Sequence, residues 1–278
     1  MKRTLVVMVL VASAVLLQSA RADASGILFV ATDQEEFDSL GLPDRIARLE
    51  TSGATVVSQA TLLTDYFVNG LADGGGFLFA GDPVSSLLHR INLDGTLIST
   101  VTAGFPPVCC SEDMAFDPAT GILYHGHYST SIEALDPTTG ALLTTYPQDD
   151  VVGMAHVGGT LWITKWGARQ VGTWDPATNL FTPVFDVLGG IAGMLAWDPF
   201  DSILWVGVGS SIRPYDLLGN ALGPDYIPFA GNAHTIDGGV FFGESAPTAV
   251  PEPTTLLLLG SGLAGVVARA RRRSRTPQ

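Results

Sequence analysis

The chain has 278 residues, with 14 Lys and Arg against 27 Asp and Glu, and a formal net charge of −13. Charged residues make up 15% of it and glycine reaches 32 residues, a balance that suits many short strands joined by tight turns. An acidic chain of this kind repels nucleic acid and anionic lipid, so neither is a partner of its folded part.

Lys2 and Arg3 open the chain, an apolar run extends from Leu5 to Leu17, and Ala20, Ala22 and Ala24 follow. A basic start, a short apolar middle and small residues at the cleavage positions make residues 1–24 a secretory signal peptide, cut by signal peptidase after Ala22 or Ala24. The alternative, an uncleaved anchor, would need the roughly 20 apolar residues that span a bilayer, and this run is shorter.

Residues 25–244 carry an internal repeat near 40 residues. Met114, Met154 and Met194 are evenly spaced, and each lies close to an alanine followed by a ring: Ala115-Phe116, Ala155-His156, Ala196-Trp197, with Ala233-His234 as the fourth case. A turn and a short aromatic strand come next, as in Ile122-Leu123-Tyr124, Leu161-Trp162-Ile163, Ile203-Leu204-Trp205 and Val240-Phe241-Phe242. A third strand ends in Asp136, Asp175 or Asp216. A fourth runs over Ala141 to Tyr146, Leu180 to Phe185 or Ala221 to Phe229. Looser copies lie around Phe77-Leu78-Phe79 and Ile27-Leu28-Phe29-Val30.

Four short strands per unit at this period predict an all-β propeller of four-stranded blades. A β-sandwich, the main rival, would not produce the repeat. Five blades are expected, with six as the alternative. The N-terminal unit lacks a first strand, so the segment Ala233 to Asp237 is expected to pair there and seal the ring. The hairpin strand Val240-Phe241-Phe242 is then left over, and it keeps the six-bladed closure open. In Asp136-Pro137-Thr138-Thr139-Gly140 and its relatives, aspartate caps the turn, proline fixes φ and glycine accepts positive φ, so these acids are turn residues before they are ligands. The tryptophans Trp162, Trp166, Trp174, Trp197 and Trp205 are expected mostly inside blades. The wording Ala134-Leu135-Asp136-Pro137-Thr138-Thr139-Gly140 resembles the quinoprotein-like, NHL-like and lactonase-like propellers. That resemblance implies a fold and no particular reaction.

Candidate chemistry in this part is sparse. His125 and His127 sit two apart on one strand, a spacing that offers two imidazoles to a metal, against the plainer reading of a polar strand face beside Gly126. His156 and His234 occupy matching repeat positions and could meet at the central channel. Glu112-Asp113 and Asp149-Asp150 read as a solvated acidic rim, with a divalent-cation site as the other reading. Cys109 and Cys110 are the only cysteines. Adjacent in sequence, they can form a vicinal disulfide, stay as two buried thiols, or serve a redox or metal role. No Gly-x-Ser-x-Gly, His-Glu-x-x-His or phosphate-binding glycine loop occurs.

After a tether at residues 245–250, the chain ends in three parts: Pro251-Glu252-Pro253, an apolar stretch from Thr254 to Ala268, and the basic residues Arg269, Arg271, Arg272, Arg273 and Arg275. The apolar stretch, as a helix of about 15 residues, is near membrane length if the arginines snorkel, and the positive-inside bias keeps them in the cytoplasm. The precursor is therefore expected to sit in the inner membrane with its domain outside. Between the two ends, Ser25 to Thr248 holds six basic residues against 25 acidic ones (27 less Asp23 and Glu252), a formal charge of −19.

These three parts in this order resemble the PEP-CTERM sorting signal of Gram-negative bacteria, here at residues 251–273. The resemblance implies an exosortase that cuts near Pro251-Glu252-Pro253 and passes the protein to the cell envelope or extracellular surface. An ordinary single-pass tail anchor is the alternative. The resulting expectation is a surface or matrix protein whose propeller binds extracellular polysaccharide or other surface proteins through loops at one mouth. The alternative is a propeller hydrolase or lyase that acts on an envelope glycan or lactone with a divalent cation. Three or more Asp, Glu, Asn or His side chains converging at the channel would favour the enzyme, and a plugged, apolar channel would exclude it.

Overall fold

A computed structural model describes residues 25–32, 44–82, 84–105, 111–128, 130–229 and 235–243. The signal peptide, Cys109, Cys110, His234, the tether and the whole sorting tail lie outside the described residues. The chain divides into two units, Met1–Glu244 and Ser245–Gln278, and every described residue belongs to the first.

All elements among the described residues are strands, and they form five antiparallel sheets. The first blade holds β1 (Ser25–Thr32), β2 (Asp44–Ser52) and β3 (Thr55–Thr64). The second holds β4 (Gly70–Asp73), β5 (Leu78–Asp82), β6 (Leu87–Ile91) and β7 (Leu97–Thr102). The third holds β8 (Ser111–Asp117), β9 (Ile122–His127), β10 (Ser131–Leu135) and β11 (Leu142–Tyr146). The fourth holds β12 (Val151–Val157), β13 (Thr160–Lys165), β14 (Gln170–Asp175) and β15 (Leu180–Asp186). The fifth holds β16 (Ala192–Asp198), β17 (Ile203–Val208) and β18 (Ser211–Tyr215).

The last strand, β19 (Ile236–Gly243), pairs with β1 and supplies the inner strand that the first blade lacks. The inner strands β19, β4, β8, β12 and β16 then neighbour one another in a closed ring. This five-bladed propeller confirms closure by the C-terminal segment and corrects one detail. Val240-Phe241-Phe242 is no leftover hairpin strand. It continues the strand that begins at Ile236, with Phe241 opposite Leu28 and Val240 opposite Phe29. Gly238-Gly239 is a point of close packing, not a turn: a Cβ on Gly238 would lie 1.9 Å from the Asn69 carbonyl oxygen of the next blade. Among the described residues, no strand remains for a sixth blade.

The repeat folds as it does because each blade has two apolar faces to bury. Five clusters result, one between each pair of adjacent blades. Leu28, Leu49, Met194 and Trp205 meet between the fifth and first blades. Phe29, Ile46, Leu71 and Ile91 meet between the first and second. The remaining three interfaces are built alike. Each fully buried large side chain contributes roughly 1.5–3 kcal/mol. The turn aspartates act as expected. Asp136 Oδ1 accepts from the N–H of Thr138 at 2.7 Å, and Gly140 takes φ 74°. Asp175 accepts from Ala177 N–H at 2.9 Å, and Asn179 takes the left-handed φ there. The fourth strand expected over Ala221 to Phe229 is reduced to two bridges, Ile212 with Tyr226 and Tyr215 with Ala221. Arg213 clamps that segment through Asp225, Nη2 to Oδ2 at 2.7 Å.

The outer strands β3, β7 and β11 carry no charged residue to guard their open edges. Each instead has a register shift against its inner neighbour, where Val57, Ile98 and Leu143 fall out of the pairing and are exposed. Such bulges twist an edge away from further strand addition.

Candidate functional site

The axis is closed by one side chain. Asp113, on β8, is fully buried, and its carboxylate receives a backbone N–H from the inner strand of every blade. Oδ1 accepts from Leu71 at 3.3 Å, Met114 at 2.9 Å and Gly239 at 3.1 Å, while Oδ2 accepts from Met154 at 3.2 Å and Leu195 at 3.1 Å. The equivalent positions on other inner strands include Gly70, Gly153 and Gly238, where the missing side chain lets the backbone of the neighbouring inner strand come close. A Cβ on Gly153 would lie 2.2 Å from the Gly193 carbonyl oxygen. Burial pushes the Asp113 carboxyl well up, and the bonds from Leu195, Gly239, Met154 and Met114 pull against that. The ionised form is the one that fits, because a proton on either oxygen would face N–H hydrogens instead of an acceptor.

Above this plug the same five strands line a half-open cavity of about 250 Å³. Two residues beyond the amides that bind Asp113, each strand brings one side chain to the cavity wall: Asp73, Phe116, His156, Trp197 and Phe241. Four rings and one carboxylate thus form a collar. Ala72, Ala115, Ala155, Ala196 and Val240 fill the wall between them. Asp73 caps the following turn by accepting from Gly75 N–H at 2.7 Å, and burial raises its carboxyl above the ordinary value. His156 Nε2 stands 3.6 Å from Asp117 Oδ1. Burial works against the Asp117 charge. Bonds from Thr120 and Ala119 and the nearby His156 nevertheless leave its carboxyl below the ordinary value.

The structure separates the other expected site residues. His125 and His127 do share one strand, and both are buried. They are built into a hydrogen-bonded network: His125 Nδ1 meets Glu133 Oε2 at 3.0 Å, Ser131 donates to Glu133 Oε1 at 2.6 Å, and Thr130 joins Ser131 to His127 Nδ1. Phe105 stacks on His125 at 4.4 Å. This replaces the polar strand face with a polar core. Among the described residues, no three His, Cys, Asp or Glu are arranged to hold a metal ion.

His156 does not find a histidine at its repeat position in the closing strand. That position is Phe241, two residues beyond the Gly239 amide that meets Asp113, and His234 lies outside the described residues. The acidic pairs divide. Asp149 is a solvent-facing acid beside Lys165, and Asp150 holds the turn at Gly167 and Ala168. Glu112 and Asp113 are buried and form no rim. The repeat of an alanine followed by a ring pointed to Phe116, His156 and Trp197. Nothing in the local sequence marked Asp73, which occupies the same place on a strand of four residues.

The description "PEP-CTERM protein-sorting motif" matches residues 249–273. The motif implies an exported cell-envelope protein processed by an exosortase. No curated protein matches the sequence. Among solved structures, a chain of a nidogen/laminin complex is similar over 78% of this chain and 98% of its own, with 13% identity and a TM-score of 0.53. A protein of unknown function from Bacteroides caccae is similar over 79% of this chain and 99% of its own, with 11% identity and a TM-score of 0.51. At these identities the likeness concerns the fold alone.

Proposed function

We propose that the propeller is a ligand-binding module of the cell envelope, delivered by its two ends. Signal peptidase removes residues 1–24. The domain at 25–244 crosses the membrane, and the tail at 251–273 holds the precursor there by an apolar helix with Arg269, Arg271, Arg272 and Arg273 inside. Exosortase then acts at Pro251-Glu252-Pro253, and residues 245–250 are the tether it leaves on the domain. The ligand is a constituent of the extracellular polysaccharide.

The collar above a plugged axis carries this reading. A mostly apolar cavity with a few placed polar groups is the usual form of a small-ligand site. Ring faces suit the C–H faces of sugars, and the −19 domain disfavours polyanions.

The test is retention in the envelope. Wild-type protein is expected to fractionate with the polysaccharide, and Trp197→Ala to appear in the soluble fraction with an unchanged far-ultraviolet spectrum. Equal retention of the two would overturn the assignment.

A further inference from the structure

We propose that the cavity takes the end of a glycan chain, and that the residue it holds carries a free amine, as in a glucosamine unit, with its ammonium at Asp73 and its ring against Trp197 and Phe116. This rests on the binding-module reading and narrows it.

The end-on geometry follows from the floor. The five amides that meet on Asp113 leave no passage through the axis. A chain cannot thread the propeller, so only a terminus can enter. The cavity of about 250 Å³ lies just under the ~300–1,000 Å³ that holds a drug-sized ligand. It has room for a sugar ring and not for an extended segment.

The charge follows from the collar. Asp73 is the one carboxylate among its five side chains, and it has no ion-pair partner among the described residues. Phe241 and Phe116 hold the matching places on the inner strands either side of β4 and supply ring quadrupoles that can attract a cation. Asp73 is exposed at the cavity wall, so a ligand ammonium can reach its carboxylate and pair with it there. The −19 domain adds long-range attraction for a cation. An acetylated amine carries no charge and forgoes all three contributions. His156 is braced by Asp117 at 3.6 Å and supplies a fourth ring wall.

The exported protein is titrated with short glucosamine oligomers, N-acetylglucosamine oligomers and glucose oligomers, with tryptophan emission and calorimetry as readouts. Glucosamine oligomers are expected to bind about tenfold more tightly than the other two, with one protein per chain whatever the chain length. Asp73→Asn, which still accepts the Gly75 N–H, is expected to erase that preference and leave the thermal midpoint unchanged. Equal affinity for free and acetylated oligomers would overturn the amine assignment while the binding reading stands. A stoichiometry that rises with chain length would overturn the end-on geometry. Binding of none of the three would overturn this proposal and count against a glycan site at the collar.

Discussion

Gly239 and Asp113 stand 126 residues apart in the chain, yet the Gly239 N–H donates to Asp113 Oδ1 at 3.1 Å on the propeller axis. One carboxylate thereby links the closing strand to the other four inner strands. Asp113→Asn keeps the shape and replaces one acceptor oxygen by a donor. At least two of the five buried N–H groups would then face an N–H instead of an oxygen. The expected loss is roughly 2–4 kcal/mol, read as a lower urea midpoint with an unchanged slope.

The axis also limits side-chain size. Gly238→Ala would set a methyl 1.9 Å from the Asn69 carbonyl oxygen, and Gly153→Ala would set one 2.2 Å from that of Gly193. Both neighbours are backbone and cannot rotate aside. Each variant is expected to lose about 3 kcal/mol or to be recovered unfolded, as seen by thermal melting. Gly121→Ala has open space at Cβ and carries only the penalty of φ 71°, so it should lose less.

The Glu133 network gives a pH dependence. Burial works against the Glu133 charge, but hydrogen bonds from His125 and Ser131 leave its carboxyl below the ordinary 4.5. The folded pKa is lower than the unfolded one, so this stability is present above pH 4.5 and is lost as the pH falls through the folded value. Melting curves between neutral pH and pH 3 should show a steeper acid loss for wild type than for Glu133→Gln. Parallel curves would refute the assignment.

The bulged rim predicts tolerance. Val57 is 60% exposed and out of register with β2, so Val57→Lys should change stability by no more than about 0.5 kcal/mol in a urea titration.

Much of the fold was legible because the repeat writes its own period. The spacing of Met114, Met154 and Met194 and the capped turns at Asp136 and Asp175 are local features, and they fixed blade and turn alike. The closing strand was misread at Gly238-Gly239 because a glycine pair signals a turn just as it signals close packing, and only the partner blade decides between them. Asp113 was read as part of a rim because its five acceptor bonds come from strands up to 126 residues away. Asp73 was missed because β4 has four residues, too few to show the repeat pattern. The Phe116, His156 and Trp197 positions were visible. Their assembly into one collar was not, since it depends on how the blades turn about the axis.

The collar is tested most directly by the indole N–H signals of the five tryptophans during titration with glycan fragments from the same envelope. Trp162, Trp174 and Trp205 are buried between adjacent blades, Trp166 packs on Tyr128, and Trp197 lines the cavity. The signal missing from Trp197→Phe is expected to shift on binding while the other four hold still. A shift at Trp166 alone, or at none of the five, would contradict it.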